Sequence, residues 1–421
     1  MRITHLGIKK LFNDFDYDFN IEGNQNVFIL TGPNGYGKTT ILDIVKQLSE
    51  KNLDYFYQLP FSEINIEFDN DNAISVISKD LEDENETTDT EIVKERKLSL
   101  IWSQKGENIS SLDFNGQTLK NAHNVINRYS YRGLANTVFD YLAEEQHVGQ
   151  LSLFISGLSV YMLPSSRLSS VEFDEEQHME ITILTINEVS DKLKHLLSSY
   201  YLKYLKTVNN SNSGIFDKLL QAQTSVTEDE YNEISSRLSQ ELRQLHDWGL
   251  STEKSIRPYS EEHKDILTVY IHELENNLSI YHGLYSRLLL FREILNSKHF
   301  TNKTILFSPT EGLIARRKDG SKLDLSKLSS GEQHEVIMLY RSIFEAGKNS
   351  ILLIDEPENS LHVAWQLDYL REIESIAKSI DIQVLIATHS PQIIGERWDE
   401  CYDLYEAANH GEFSRDSSSE R

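Results

Sequence analysis

"NVFILTGPNGYGKTT", residues 26–40, runs from a short apolar stretch through a glycine-rich turn into a segment with helical apolar spacing. Asn26 to Leu30 is β-branched and aromatic, which predicts a buried strand; a helix is predicted from Lys38 to about Leu48. The turn carries Gly32, Pro33, Asn34, Gly35, Tyr36, Gly37, Lys38, Thr39 and Thr40. Glycine, four residues, then Gly-Lys-Thr is the P-loop spacing, and the strand before it and helix after it are the context its chemistry requires. Backbone N–H groups and the helix N-terminus cradle phosphates, Lys38 is expected to reach the β- and γ-phosphates, and the Thr39 hydroxyl to bind Mg²⁺. An α/β fold follows.

Working outward, the 421 residues are 39% apolar, enough to bury a substantial core. A formal net charge of -25, from 66 acidic and 41 basic side chains, repels a polyanion over most of the surface, so a broad DNA-coating role is not expected and DNA, as a partner, needs a local basic patch. The one cysteine, Cys401, rules out an internal disulfide framework and cysteine-based zinc sites and suits the cytoplasm. The first residues lack an apolar signal core, and no window approaches the roughly 20 apolar residues of a membrane span. A soluble chain with no membrane partner is expected.

"FSEINIEFDN" and "AISVISKD" alternate apolar and polar residues around "DNDN", as a hairpin does. "LEDENETTDTE", residues 81–91, reads as a solvated loop tip. "LSVYMLP" (Leu158 to Pro164) predicts a further buried strand. From about Thr185 to Ser297 the pattern is helical. One helix opens with a capping box, Thr227 with Glu230, places apolar residues at Tyr231, Ile234, Leu238, Leu242, Leu245 and Trp248, and stops at Gly249. The next run sets Leu267, Ile271, Leu274, Leu278, Tyr281, Tyr285 and Leu288 at spacings of four and three. That is a heptad seam, fitting either a coiled-coil arm of about 50 Å or a bundle packed on the core. "KTVNNSNSG" reads as a turn within this region, and strands return after Phe300 as "KTILFS", "GLIARR" and "KLDL" around Asp319-Gly320.

Two more buried runs end in chemistry-bearing residues. "SILLIDEPENSLH" delivers Asp355 and Glu356 at the end of Ile351–Ile354, and "IQVLIATHS" ends in His389. Strand ends are where ligands gather in an open α/β sheet. Asp355 is placed to hold Mg²⁺, Glu356 to polarise the attacking water, and the His389 imidazole to hydrogen-bond the γ-phosphate. "LSSGEQ", residues 328–333, is a second glycine-centred helix start.

Together these features resemble the ABC-type AAA ATPases in the RecF, SMC and OLD-like branch. "LSSGEQ" is similar to their signature, "ENSLH" (Glu358 to His362) to the D-loop, and "ATHSPQII" to the switch-histidine loop. The resemblance implies an ABC-type P-loop NTPase head with a helical or coiled-coil insertion, and ATP hydrolysis with ATP and Mg²⁺ as cofactors. Lys38, Glu356 and His389 are then the catalytic set, and Thr39 and Asp355 hold the metal. It also implies an ATP-sandwich dimer in which Ser329, Ser330, Gly331, Glu332 and Ser360 contact a nucleotide on a second copy's Lys38, a helix N-terminus facing a phosphate. The expected division is 1–184 and 300–402 for the two parts of the head, 185–299 for the insertion and 403–421 for a polar, disordered tail. The family's Q-loop glutamine has no clear match: Ser166 and Arg167 stand where it is sought, with Gln58 the alternative.

The wording of "LSSGEQHEVIMLYRSIF", "LIDEPENSLHVAWQ" and "ATHSPQII" further resembles the ATPases of bacterial anti-phage systems, PARIS (AriA) and Septu (PtuA). Those families imply a homo-oligomeric sensor and scaffold that holds a separate effector nuclease, TOPRIM or HNH in type, and answers a phage-encoded trigger. About 20 residues follow Tyr402, so the nuclease is expected from a neighbouring gene. Two other readings share the core: a RecF- or SMC-like repair or recombination ATPase, for which "ARRKDGSK" (Ala315 to Lys322) is the one small basic patch, and the nucleotide-binding subunit of a membrane transporter.

Overall fold

The computed structural model describes residues 1–421 apart from 22–25, 81–95, 130–136, 164–168, 175–178, 222–225, 299, 301, 360, 362 and 414–421. The chain divides into two compact units, Met1–Ser165 with Phe344–Arg421, and Ser166–Ile343.

The first unit begins with β1 (Ile3–Leu11), β2 (Phe15–Asn20), β3 (Val27–Thr31), α1 (Lys38–Ser49), α2 (Leu53–Gln58), β4 (Glu63–Phe68), β5 (Asn72–Asp80), β6 (Arg96–Gln104), β7 (Glu107–Asn115), α3 (Gly116–Tyr129), α4 (Val138–Glu145), α5 (Gly149–Ser156) and β8 (Val160–Leu163). The second holds β9 (Ser169–Asp174), β10 (Met179–Leu184), α6 (Thr185–Gln221), α7 (Glu228–Asp247), α8 (Lys264–Leu278), α9 (His282–Ser297), β11 (Lys303–Ser308), β12 (Gly312–Arg317), β13 (Lys322–Leu323) and α10 (Ser330–Tyr340). The first unit resumes with β14 (Ile351–Asp355), α11 (Val363–Ile380), β15 (Gln383–Ala387), α12 (Pro391–Ile394), β16 (Cys401–Asp403) and α13 (Leu404–Phe413).

Two sheets build the first unit. One is antiparallel in the order β2-β1-β4-β5-β6-β7, and includes the expected β4–β5 hairpin. The other is parallel in the order β16-β3-β15-β14-β8. Every residue of β3 and β15, and the first four of β14, is buried. That is why these strands read as unbroken apolar runs rather than alternating ones. Ile41, Leu42, Ile44, Val45 and Leu48 of α1 join the same core as Leu6, Ile8, Phe19, Ile64 and Ile66 of the antiparallel sheet.

In the second unit the Thr227–Glu230 capping box is formed at the start of α7, and Gly249 follows it at φ +73°. The heptad run takes the second of its two readings, the bundle: it passes through a 3-10 turn, Ser279–Tyr281, between α8 and α9, with Leu267, Ile271, Leu274, Leu278, Tyr281 and Leu288 buried within the unit and Tyr285 half-buried. Two expectations change here and at the C-terminus. "KTVNNSNSG" is not a turn, because α6 runs through it for 37 residues. Packing supplies the reason: Ser211 is buried and its hydroxyl donates to Asn277 Oδ1 of α8 at 3.0 Å, which overrides the weak helix propensity of Asn, Ser and Gly. Finally, the segment expected as a disordered tail begins with α13. Cys401, Tyr402 and Asp403 pair with Ile29, Leu30 and Thr31 of β3, and Leu404 is fully buried.

The unit limits at 166 and 343 also differ from the expected insertion limits, 185 and 299. Strand β12 joins α6 through a bond from the Leu313 N–H to Ser190 Oγ at 2.9 Å. A Cβ on Gly312, at φ +72°, would lie 2.2 Å from the Ser190 carbonyl oxygen, so only glycine fits this approach. The basic patch sits on the β12–β13 hairpin, where Arg316 donates to the Gly320 carbonyl, Arg317 to the Ser321 hydroxyl, and Lys322 pairs with Glu311. Lys322 is thus paired with a carboxylate, while Arg316, Arg317 and Lys318 are exposed.

Candidate nucleotide-binding site

The parallel sheet gathers its chemistry at the carboxyl ends of three adjacent strands. β15 lies between β3 and β14. The ladder continues past the strands, with Thr388 N–H donating to Leu30 and Glu356 N–H to Ala387. The P-loop, the acidic pair and the histidine loop are therefore held side by side by backbone bonds.

Gly32, Gly35 and Gly37 all have positive φ, at 143°, 91° and 82°. Space is as demanding as torsion at Gly37, where a Cβ would meet Leu11 Cδ2 at 3.0 Å and Phe12 Cε2 at 3.4 Å. Pro33, Asn34 and Gly35 are exposed and Tyr36 half-buried, its ring meeting that of Tyr405 of α13 edge-on at 5.6 Å. No side chain caps α1, so its first N–H groups are open to an anion. Lys38 is buried and donates to the carbonyls of Gly32 and Pro33 at 2.9 and 3.2 Å, folded back on the loop it is meant to serve. Thr40, half-buried, follows Thr39 in the first turn of α1.

The Thr39 hydroxyl donates to Asp355 Oδ2 at 2.9 Å, across 316 residues of chain. Asp355 Oδ1 is buried without a hydrogen-bond partner. Burial pushes the Asp355 carboxyl above its ordinary range; the Thr39 bond opposes this, and the charges of Glu356 and Asp43 add to it. A hydroxyl, a carboxylate with one unused buried oxygen and a locally negative field suit a hard divalent cation. These residues fit Mg²⁺.

Glu356 adopts φ 43°, rare for a residue with a side chain, and its Oε2 accepts from the Asn359 amide at 2.8 Å. Its Oε1 lies 3.8 Å from His389 Nδ1, and the imidazole is half exposed. Glu356 and His389 thus share one wall, next to Thr39 and Asp355. Glu358, placed in the D-loop-like segment by the sequence but given no role there, is 7% exposed and its carboxylate faces His389 at 3.0 Å. Nothing in the sequence says where its carboxylate points.

The second glycine-centred turn belongs to the other unit. Ser329 caps α10 and forms a capping box with Glu332, a sequence signal of the same kind as Thr227–Glu230. Ser329 and Ser330 are exposed and Gly331 half-exposed at the open helix end. Glu332 is not: it is 6% exposed, accepts from the Ser329 N–H at 2.7 Å and pairs with Lys303 at 2.7 Å. Burial alone would raise its carboxyl, but the Lys303 and Ser329 bonds outweigh it and hold it below the usual range. Glu332 holds the helix end together instead of facing a ligand. Gln333 does likewise, donating to the carbonyls of Ser326 and Leu328. Ser360, Ser166 and Arg167 lie outside the described residues, as does the acidic stretch 81–91; Gln58 is exposed at the end of α2. Among the described residues no cluster of three His, Cys, Asp or Glu side chains suits a metal, and no helix is long and apolar enough to cross a membrane.

A family model described as an AAA ATPase domain matches residues 1–394. The zinc import ATP-binding proteins ZnuC of Vibrio vulnificus, strains YJ016 and CMCP6, are each 30% identical over 110 residues, 25% of this chain. The chain spans 41% of the length of those relatives. Among solved structures, the Smc head domain with an extended coiled coil bound to the C-terminal domain of ScpA, from Pyrococcus furiosus, aligns over 98% of this chain and 99% of its own, at 13% identity and a TM-score of 0.38. The SMC head domain from Thermotoga maritima aligns over 95% and 92%, at 12% identity and a TM-score of 0.35.

Proposed function

Because the chain belongs to the AAA ATPase domain family, we propose that it binds Mg²⁺-ATP at the P-loop and hydrolyses it between two copies of itself. One observation carries this reading: Thr39 and Asp355, from opposite ends of the chain, meet at 2.9 Å beside the open N-terminus of α1. Bound magnesium supplies charge neutralisation at the terminal phosphates. The protein's own residues do the remainder. The glycine turn and the free N–H groups of α1 hold the phosphate chain, and Lys38 exchanges its bonds to Gly32 and Pro33 for bonds to phosphate oxygens. Glu356, oriented by Asn359, accepts the proton of the attacking water. His389 donates a hydrogen bond to the γ-phosphate, and Ser329, Ser330 and Gly331 of a second copy close the site from the opposite side. Phosphate release by the intact chain, with and without Mg²⁺, tests this; a chain that neither binds nor turns over ATP defeats it.

The role of that ATPase is the finer part of the proposal: a sensor and scaffold subunit of an anti-phage complex that holds an effector nuclease. Support comes from the wording of the signature, acidic-strand and histidine-loop segments. A net charge of -25 weighs against a broad DNA-coating role. Purifying the chain together with its neighbouring gene product decides the matter. A stable multi-copy complex with a nuclease supports it; a lone chain that dimerises with ATP and binds DNA favours the repair or recombination ATPase.

A further inference from the structure

The reaction scheme above leaves one buried carboxylate without a task. Glu358 Oε2 accepts the Thr388 hydroxyl at 2.9 Å. Its Oε1 accepts the His389 backbone N–H at 2.9 Å and lies 3.0 Å from His389 Nδ1. Three groups of one loop converge on one side chain that is 7% exposed, and Thr388 beneath it is fully buried. Gln366 ties the same two segments together: its amide donates to the carbonyls of Glu358 and Leu361 at 3.4 and 3.2 Å and accepts from the Ser390 hydroxyl at 2.9 Å. Glu356, by contrast, stands 3.8 Å from the ring and is 30% exposed.

An ionised carboxylate only accepts hydrogen bonds. The ring nitrogen facing it must carry a hydrogen, since a lone pair there would be repelled. Nε2 is then the ring atom left to meet a ligand, and the ring cannot flip without losing its carboxylate. Pairs of this kind fix a histidine's tautomer and orientation at metal and triad sites.

We propose that Glu358 is the positioning residue for His389, holding its loop and its ring so that Nε2 faces the γ-phosphate; the proposal rests on the reading of His389 as a phosphate contact. Glu358 acts through His389 and touches no reacting atom. A purely structural role predicts something different, namely a loss independent of His389.

The test compares the full-length chain with Glu358→Ala, Glu358→Gln, His389→Ala and the double variant Glu358→Ala/His389→Ala. Turnover is read by phosphate release and ATP affinity by calorimetry. His389→Ala should lower kcat by about 100-fold, within the range for a lost catalytic imidazole. Glu358→Ala should lower it by about 10-fold to 100-fold with Kd for ATP unchanged, and the double variant should fall no further than His389→Ala. Glu358→Gln, which keeps the shape and one acceptor oxygen, should fall between wild type and Glu358→Ala. In ¹⁵N-histidine spectra, the Nδ1–H signal that disappears in His389→Ala should be present in the wild type and diminished in Glu358→Ala. Wild-type turnover by both Glu358 variants, or multiplied losses in the double variant, overturns the proposal. If instead His389→Ala turns over ATP normally while Lys38→Ala is inactive, the phosphate-contact reading fails; the tautomer signal then still decides whether Glu358 orients the ring. Should Glu358→Ala not fold, Glu358→Gln and its double with His389→Ala carry the same comparison.

Discussion

Lys298→Met isolates a buried charge, Glu335, six residues after the Ser329 cap of α10. Lys298 Nζ and Glu335 Oε1 are 2.8 Å apart, with both side chains 2% exposed. Glu335 Oε2 has no hydrogen-bond partner. Burial raises the Glu335 carboxyl above its ordinary 4.5, and the charge and hydrogen bond of Lys298 pull against it. Methionine nearly matches the lysine stem in length, so charge rather than volume is what the substitution removes. Breaking one side of a buried ion pair costs about 3–5 kcal/mol, whereas replacing both members by apolar groups is close to neutral. Lys298→Met should therefore destabilise the second unit by that amount, and Lys298→Met/Glu335→Met should recover most of it. Urea unfolding read through Trp248, 6% exposed in that unit, measures both in a chain whose other tryptophans are phenylalanine. The pH dependence has a defined sign. In Lys298→Met the native carboxyl binds its proton more tightly than the unfolded one, so stability falls as pH rises from 4.5 through the raised native value. The deficit should be smaller at pH 5 than at pH 8. A loss below about 1 kcal/mol, unchanged in the double variant, would refute the reasoning.

Four shorter predictions concern the site. Lys38→Ala should raise the Kd for ATP, measured by calorimetry, because the proposed site relies on its cation to meet the phosphates. Glu356→Gln should bind ATP but turn it over about 100-fold to 1000-fold more slowly and accumulate as a dimer in light scattering; normal turnover would remove Glu356 from the mechanism. Ser329→Arg should leave ATP affinity intact and abolish ATP-dependent dimerisation, so a variant that still dimerises on ATP contradicts the two-copy site. Asp355→Asn removes a charge that burial disfavours while keeping an oxygen for the Thr39 hydroxyl; its melting temperature without nucleotide should rise, and its Mg²⁺-dependent turnover should vanish.

Local signals carried much of the fold. The apolar runs of β3, β14 and β15, the glycine turn before α1 and the alternation of β4 and β5 depend on neighbours within a few residues, and all became the elements they predicted. The capping box of Thr227 and Glu230 formed for the same reason. Where the reading failed, a distant partner had decided the outcome. Residues 206–214 are helical because α8 covers Ser211, and the heptad seam is buried because α6 and α7 pack on α8 within their unit. Three residues, Cys401 to Asp403, make a strand only because β3 offers a free edge.

The candidate site divides the same way. Sequence by itself determined which side chains follow the buried strands: Lys38 and Thr39 at the start of α1 after the glycine turn, Asp355 and Glu356, and His389. Spacing along one strand or turn is a local quantity, and local geometry enforces it. Tertiary structure alone decided that β15 lies between β3 and β14, that Thr39 and Asp355 meet, that Glu332 turns inward to Lys303 and that Glu358 stands under His389. Buried parallel strands present similar apolar runs, so their order is set by how the whole core packs. A carboxylate's partner is likewise chosen by distance in space, which spacing along the chain does not encode.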